Sequence, residues 1–411
     1  MNSTCLLIRS IFFTLTLLIV TPASAQLSFN FFDAAGNPAA GNVAPNILAG
    51  FQAAGQRWSG IFDDNITVNL QLDFAAIPAI PSPTGGPPQI TLAQTAPNLI
   101  DSTAELGGNF PSFSLLKNQL ALDQTSANDA IAVNNLPVGN LTTGSAAVTE
   151  AFSFLTNDRS GTASLDNDTS LGNGDFSAIN NSLFAITSAN ARALGLINAN
   201  DANIDATITV NSGVNFDFDP SDGIAANAFD FVGVATHEIG HALGFVSGVD
   251  TIDARSGPTN GQIVIPGAAV ANPTDFDQFP LFSTLDLFRR SNDAFALDPD
   301  ALDLSTNPNS NVFFSIDGVL GDGNDILLET GAFNGTGSQA SHFGEVAGAS
   351  LGILDPVQAP GELLAISQND ILAFDVIGFD LIDTSAVPEP NLMLGLAAIG
   401  FASAFRRRRR A

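Results

Sequence analysis

The segment that decides the fold is His237-Glu238-Ile239-Gly240-His241, in which two histidines stand four residues apart with a glutamate directly after the first. On an α-helix, residues at positions i and i+4 lie on the same face, about one turn apart. Both imidazoles can therefore reach one Zn²⁺ ion at the roughly 2.0–2.1 Å that zinc–nitrogen bonds require. Glu238 can reach a water molecule on the same ion. The spacing predicts a helix that carries two zinc ligands and a general base.

The residues on either side of this motif favour an active-site helix. Asp230 can cap a helix that runs through Phe231, and the stretch up to His241 is apolar and rich in small residues. Gly244 can adopt the left-handed conformation that ends a helix, so that a third ligand can come from elsewhere in the chain. The alternative is an accidental match on an ordinary core helix, because short motifs of this kind do produce false positives.

Few residues could serve as the third zinc ligand, because the chain contains only three histidines. His342 is the remaining one, and three imidazoles would leave one open zinc position for water. Ser247 stands where a compact motif would place its last histidine, but a serine hydroxyl is a poor zinc ligand. Asp250 is the more serious rival. No glutamate lies between Glu238 and Glu329, so a nearby glutamate ligand has no candidate.

The chemistry predicted from these residues is hydrolysis of a peptide bond. A zinc ion on His237, His241 and His342 lowers the pKa of its water towards about 7, and Glu238 accepts the proton and later passes it to the leaving amine. The sequence therefore predicts a zinc endopeptidase that acts on a protein or peptide substrate. Two alternatives stay open: hydrolysis of a non-peptide amide, and a non-catalytic matrix or adhesion protein on the same scaffold.

The motif and its distant partners resemble a known group of enzymes. His237 to Phe245, Ser341-His342-Phe343 and the turn from Leu351 to Pro356 resemble metzincin peptidases with a long insertion before the last histidine, as in the leishmanolysin-like group. More closely, the chain resembles a family of exported bacterial zinc metalloproteases that carry a PEP-CTERM tail. The blocks that carry this resemblance are Trp58 to Val68, Leu285 to Arg289, Phe314 to Gly318 and Gln339 to Pro356. The resemblance implies an α+β fold of the zincin type with two lobes, a mixed twisted sheet, an active-site helix and a loop-rich C-terminal lobe.

One departure from the family pattern concerns the floor of the site. The turn beneath the metal normally carries methionine, and Leu354 stands in its place here, since Met1 and Met393 lie in the terminal segments. Because this residue packs and does not bind the metal, the departure bears on the class of the enzyme more than on its activity. The chain contains no tyrosine, which excludes a tyrosine ligand or a phenolic group that stabilises the transition state.

The N-terminal segment predicts export from the cell. Arg9, the apolar run from Ile11 to Val20 and Ala23-Ser24-Ala25 are typical of a secretory signal peptide, residues 1–25, which signal peptidase removes. Its removal takes away Cys5, the only cysteine in the chain. The mature protein therefore has no disulfide and no thiol, and can work in an oxidising compartment.

The C-terminal segment predicts the final location. Val387-Pro388-Glu389-Pro390 is followed by the apolar run from Leu392 to Phe405 and by Arg406 to Arg410. Residues 386–411 resemble a PEP-CTERM sorting signal, which implies cleavage by an exosortase and a place at the cell surface or in the extracellular matrix of a Gram-negative bacterium. The apolar run is shorter than the roughly 20 residues that span a bilayer, which favours a transient membrane anchor over a permanent transmembrane helix. The positive-inside rule explains the arginines, so no nucleic-acid binding is predicted.

The charge balance suits an exposed protein. The chain has 41 acidic and 13 basic residues, a net charge of -28, and without both terminal signals 40 acidic and 7 basic residues remain, a net charge of -33. Such a surface stays soluble and repels phosphates and anionic membranes. It could also attract Ca²⁺, since Asp317, Asp322, Asn324 and Asp325 offer oxygen ligands in one glycine-rich loop. The loop lacks the spacing of an EF-hand, and ordinary turn chemistry is the alternative.

The segment pattern predicts one metalloprotease domain over residues 26–385, with an upper lobe over about 26–245 and a lower lobe over about 246–385. Periodicity and composition predict elements in this order: a helix over Val43–Trp58, a strand over Ile66–Phe74, partial helix over Asn98–Asp129, loop over Leu155–Ser177, a strand over Ile204–Phe216, a loop-rich insertion over Thr251–Gln339 and a helix over Ile371–Phe379. Thr207 to Ser212 is expected either to form the upper edge of the cleft, where an extended peptide would bind, or to be a plain interior strand.

Overall fold

The computed structural model describes residues 26–79, 90–100, 110–139, 141–142, 150–157, 162–168, 179–255 and 279–383. The predicted signal peptide, residues 1–25, and the predicted sorting signal, residues 386–411, lie outside these ranges. Within the ranges that are described, no helix is both long and apolar enough to cross a membrane.

The helices and strands of the described residues follow one another along the chain as a mixture of both types, so the predicted α+β class is confirmed. In chain order they are β1 (Ser28–Phe32), α1 (Pro45–Ser59), β2 (Thr67–Ala75), β3 (Ala93–Pro97), α2 (Phe113–Leu122), α3 (Ala127–Asn134), β4 (Leu141–Thr142), β5 (Glu150–Ala151), β6 (Phe154–Asn157), β7 (Ala163–Asp166), α4 (Ser188–Ala193), β8 (Ala206–Asn211), β9 (Phe216–Asp217), a 3₁₀ helix (Pro220–Asp222), β10 (Phe229–Asp230), α5 (Phe231–Leu243), α6 (Val249–Arg255), a second 3₁₀ helix (Leu285–Phe288), β11 (Arg289–Arg290), α7 (Asn292–Leu297), β12 (Leu302–Asp303), β13 (Val312–Phe314), β14 (Ile326–Leu328) and α8 (Gln368–Val376).

The largest sheet has four strands in the order β1-β2-β8-β3. β1, β2 and β8 run parallel, and β3 pairs antiparallel with β8 at the edge. The alternation that predicted β8 is visible in its burial, because Ala206, Ile208 and Val210 are fully buried while Thr207 and Thr209 are partly exposed. One face of the sheet is thus apolar and available to helices.

Helices α1 and α5 pack against each other, and α5 also packs against β3 and β8. α1 begins with Pro45. Proline is favoured at the start of a helix, because the backbone N–H that it lacks would have no partner within the helix there. A Cβ at Gly50 would lie 2.3 Å from the ring of Phe231, so glycine permits the close approach of the two helices. Further along, the indole N–H of Trp58 donates to the Thr236 carbonyl at 3.0 Å. These contacts fix α5 in the middle of the core.

The structure decides between the two alternatives for Thr207 to Ser212 and corrects one further prediction. β8 pairs with β2 on one side and with β3 on the other, so the interior strand is confirmed and the edge of the cleft is not formed by β8. The edge strands of this sheet are β1 and β3, and β3, which the sequence pattern did not identify, is the one next to β8. The predicted loop over Leu155–Ser177 contains most of β6 and all of β7. β6 is stabilised by its parallel pairing with β12, more than a hundred residues away, and no local pattern contains that contact.

The part of the chain after α5 consists of short elements joined by long irregular segments, as predicted for the insertion. β11, β13 and β14 form one small sheet, and β12, β6 and β7 form another. The predicted final helix is present as α8, which begins earlier than expected because Ser367 and Asp370 form a capping box. A continuous cluster of buried apolar residues extends from Leu27 to Phe379. This core crosses the predicted boundary between the two lobes.

A group of aspartates meets at the ends of α1, α2 and α8. Burial, followed by the negative charge of Asp380, raises the pKa of Asp64 to about 8. Burial and the same neighbour raise the pKa of Asp123 to about 8 as well. The Asp380 backbone N–H donates to Asp64 at 3.1 Å, and the Thr125 hydroxyl donates to Asp380 at 2.7 Å. Asp64 and Asp123 therefore retain protons at pH values where free aspartate has lost them.

Candidate metal centre

Helix α5 has the boundaries that its flanking residues predict. The Asp230 carboxylate accepts a hydrogen bond from the Gly233 N–H at 2.9 Å, which caps the first turn. The helix ends at Gly244, whose φ of 134° a residue with a side chain rarely adopts. Both predicted helix signals are confirmed.

The three histidines come together at α5. The Nε2 atom of His237 lies 2.9 Å from Nε2 of His241 and 3.2 Å from Nε2 of His342. One nitrogen from each ring can be chosen such that all three lie within 4.8 Å of one another. Among the described residues, these three form the group that could hold a metal ion. Two of them stand one turn apart on α5, and the third comes from a distant loop.

Each imidazole uses its other ring nitrogen to contact a backbone carbonyl. Nδ1 of His237 lies 2.7 Å from the Ile353 oxygen, Nδ1 of His241 lies 2.7 Å from the Phe245 oxygen, and Nδ1 of His342 lies 3.2 Å from the Gln339 oxygen. A carbonyl only accepts, so the partners assign the ring proton to Nδ1 in all three residues. The three Nε2 lone pairs are then directed at one another, and lone pairs at such distances repel unless a cation lies between them.

The spacing of these lone pairs fits a zinc ion. Three nitrogens at about 2.05 Å from a tetrahedral zinc are about 3.3 Å apart, close to the observed 2.9 and 3.2 Å. Burial lowers the pKa of His237 to about 4. Burial and the neighbouring His237 lower the pKa of His241 to about 3, and burial lowers the pKa of His342 well below its usual value. All three rings are therefore neutral at pH 7, which is the form that binds metals.

Glu238 follows His237 on α5, and it is buried, with 5% of its surface exposed. Burial raises its pKa to about 7, against the lowering effect of a hydrogen bond from Thr95. The Thr95 hydroxyl oxygen lies 2.6 Å from Oε2 of Glu238 and 2.9 Å from the Glu238 carbonyl oxygen. Thr95 belongs to β3, opposite Ile208 in β8. No sequence spacing links Thr95 to Glu238, and the sequence pattern did not identify β3.

Leu354 lies beneath α5, where the sequence predicts an apolar floor. It is fully buried. Its methyl carbons lie 3.1 and 3.2 Å from the point that a Cβ would occupy if Gly240 carried a side chain. Gly240 stands between His237 and His241 in the sequence of α5. The Asp370 carboxylate accepts hydrogen bonds from the Ile353 N–H at 2.9 Å and from the Leu354 N–H at 3.2 Å. The same turn provides the Ile353 carbonyl for His237. Leu354 therefore packs against α5 at Gly240.

Asp250, the rival for the third ligand position, lies outside the imidazole group. Its Oδ1 accepts from the Ala340 N–H at 2.5 Å and its Oδ2 from the Ser341 N–H at 3.2 Å, and the Ser341 hydroxyl also donates to Oδ2. The structure therefore brings His342, and not Asp250, together with the other two histidines.

The loop considered for Ca²⁺ shows ordinary turn contacts. Asp317 accepts from the Val319 N–H at 2.9 Å, Asp322 accepts from the Asn324 N–H at 2.8 Å, and Asp325 accepts from an amide four residues before it. Within the described ranges, no three acidic residues of this loop bring their oxygens close enough to share an ion. These contacts are the turn chemistry that the sequence offers as the alternative.

Comparison of the chain with protein-family models, with curated proteins and with solved structures yields no match. The chemical role of the centre therefore has to be inferred from its own geometry.

Proposed function

We propose that this protein is a zinc-dependent endopeptidase with a zincin-type fold. The observation that carries the proposal is the convergence of three neutral imidazoles, whose Nε2 atoms face one another, at a helix that also carries the buried carboxyl group of Glu238. Three nitrogen ligands and one open position are typical of catalytic zinc sites, whereas structural zinc sites have four protein ligands. The mixed sheet and the central helix α5 support the zincin architecture that the sequence resemblance implies.

His237, His241 and His342 would hold the ion. When it is bound, zinc supplies Lewis acidity, which acidifies water and polarises a carbonyl group. The backbone carbonyls at Ile353, Phe245 and Gln339 keep the Nδ1 protons in place, so that each ring presents Nε2 in a fixed orientation. The protein thus supplies a ligand set that is oriented before the metal arrives.

Glu238 would move the proton. Thr95 holds Oε2 of Glu238, so Oε1 is the oxygen that would accept a proton from the attacking water and return it to the leaving amine. Burial makes the neutral form of this carboxyl accessible near pH 7, which suits a group that carries a proton for part of the cycle. An inert scaffold offers no reason to bury and orient a carboxyl group at this position.

The edge strand β3 supports a peptide substrate. Among the described residues, β3 pairs with β8 alone, so the main-chain groups on its other side are free to pair with an extended peptide. Thr95 lies in this strand and contacts Glu238, so a peptide aligned along β3 would pass close to the proposed base. Export and exosortase-dependent sorting are proposed from residues 1–25 and 386–411 alone.

The test compares the purified protein with Glu238→Gln, which keeps the shape of the side chain and removes its basicity. We expect both forms to contain stoichiometric zinc. Cleavage of a denatured protein should fall by about 10²–10⁴-fold in the variant, the usual contribution of general base catalysis. His237→Ala should lose both zinc and activity. A Glu238→Gln variant as active as the wild type would rule out the proposed mechanism.

A further inference from the structure

The third histidine differs from the other two in how it is held. His237 and His241 stand on α5, whereas His342 ends the turn Gln339–His342 in an irregular segment. The carbonyl that contacts its Nδ1, at 3.2 Å, belongs to Gln339 at the start of the same turn. Both the ring and its hydrogen-bond acceptor therefore depend on the conformation of this short turn. A ligand on a loop needs outside support to be as well oriented as one on a helix.

One carboxylate from α6 supplies that support. The two amides in the middle of the turn, those of Ala340 and Ser341, both donate to Asp250, at 2.5 and 3.2 Å. The Ser341 hydroxyl donates to the same carboxylate. Three donors on one carboxylate form a charge-assisted set, which is stronger than the same number of neutral hydrogen bonds. Asp250 thus fixes the backbone between Gln339 and His342.

Arg289 also holds the turn. Its side chain is fully buried, and its guanidinium donates to the Ala340 carbonyl at 3.1 Å and to the Glu329 carbonyl at 2.8 Å. The N–H and the C=O of Ala340 are therefore both bound by charged side chains of opposite sign. The Glu329 N–H also donates to the His342 carbonyl at 3.1 Å.

Ser341 connects the turn to the chain that leaves the metal helix. Its hydroxyl oxygen accepts from the Ser247 N–H at 2.9 Å, and the Ser247 hydroxyl donates to Asp286 at 2.5 Å. Ser247 follows α5 closely, and Asp250, three residues later, is the second residue of α6. The network therefore ties the loop that carries His342 to the end of the helix that carries the other two ligands.

We infer that Asp250 is a positioning residue of the metal centre, which acts through the backbone of the turn to bring His342 into register with His237 and His241. This inference rests on the proposed metal function of the three histidines. Asp250 contacts no ligand ring, and its contribution is to the geometry of the third ligand. Loss of its carboxylate should therefore weaken metal binding more than a substitution elsewhere that lowers fold stability by the same amount.

A second aspartate on the same helix provides a matched control. Asp253 is 1% exposed and accepts from the Phe333 N–H at 2.8 Å and the Asn334 N–H at 2.7 Å, so within the described residues it supports an earlier part of the segment and makes no hydrogen bond with the turn that ends at His342. Asp250→Asn and Asp253→Asn make the same chemical change on the same helix. Both should lower the melting temperature of the metal-free protein. Only Asp250→Asn should weaken zinc binding, by about 10–100-fold, the range measured for supporting residues around metal ligands.

The experiment measures zinc affinity by competition with a chromophoric chelator, and records the visible absorption of the Co²⁺-substituted protein. A changed Co²⁺ spectrum in Asp250→Asn, with an unchanged spectrum in Asp253→Asn, would support a role in ligand geometry. Equal zinc affinities and equal spectra in the two variants would overturn the inference but leave the proposed metal function intact. A wild-type protein that binds no zinc would overturn both.

Ser341→Ala decides the question if Asp250→Asn does not fold. It removes the hydroxyl that joins Asp250 to Ser247 and leaves both backbone hydrogen bonds to Asp250 in place. We expect a loss of about 5-fold in zinc affinity, which corresponds to one ordinary hydrogen bond. An affinity equal to that of the wild type would contradict the inference.

Discussion

Replacing Thr95 with valine removes the hydroxyl group that the edge strand presents to the proposed base. Valine has nearly the shape of threonine, so β3 should keep its pairing with β8. The lost contact joins the Thr95 hydroxyl oxygen and Oε2 of Glu238 at 2.6 Å, in a site where Glu238 is 5% exposed. Hydrogen bonds to charged groups contribute about 1.5–3 kcal/mol. Because Thr95 is only partly buried, water replaces part of this contact, and we take the lower end of the range.

A loss of about 1.5 kcal/mol corresponds to roughly a 10-fold fall in kcat/KM, since each 1.4 kcal/mol is a factor of ten. The hydrogen bond from Thr95 lowers the pKa of Glu238, so its removal should also move the acidic limb of the pH profile to higher pH. The assay is cleavage of a denatured protein between pH 5 and 9, with zinc content measured on the same samples.

Thr95→Ser is the matched control, because it restores the hydroxyl and should recover most of the activity. The reasoning is refuted if Thr95→Val retains zinc and shows the kcat/KM and the pH profile of the wild type. In that case the contact between β3 and Glu238 has no part in catalysis.

The floor of the site and the aspartate cluster allow two further predictions. Leu354→Met conserves volume and should change the unfolding free energy by less than about 1.5 kcal/mol, whereas Leu354→Ala should cost about 2–5 kcal/mol because Leu354 is fully buried; denaturant unfolding measures both. Asp64 and Asp123 have pKa values raised from 3.8 to about 8, so between these values the folded state binds more protons than the unfolded state, and stability should fall as pH rises. Melting temperatures from pH 4 to 8 should show this decline, and a smaller one in Asp64→Asn.

The helix of the metal centre could be predicted because its signals are local. The spacing of His237 and His241, the cap at Asp230 and the stop at Gly244 all lie within one short segment. His342 was identified for a different reason, since a chain with three histidines leaves a single candidate for a third imidazole ligand. The third ligand could thus be predicted from the small number of histidines and not from the spacing of residues.

The supporting contacts could not be predicted, because they form between distant parts of the chain. Thr95 reaches Glu238 only through the antiparallel pairing of β3 with β8. Asp250 is acidic and close in sequence to the helix, which makes it a candidate ligand, but its carboxylate contacts backbone amides that precede His342. The alternation in β8 predicted one buried face and could not tell whether the strand lies inside the sheet or at its edge. Each of these features depends on a tertiary neighbour.

The measurement that tests the central claim most directly combines metal analysis with a cleavage assay on the purified protein. Zinc is quantified before and after treatment with a chelator, and cleavage of a denatured protein is followed before chelation, after it, and after zinc is added back. The proposed function predicts stoichiometric zinc, loss of cleavage with the metal and recovery on its return. Cleavage that persists in metal-free protein, or a protein that binds no zinc at its three histidines, would contradict it.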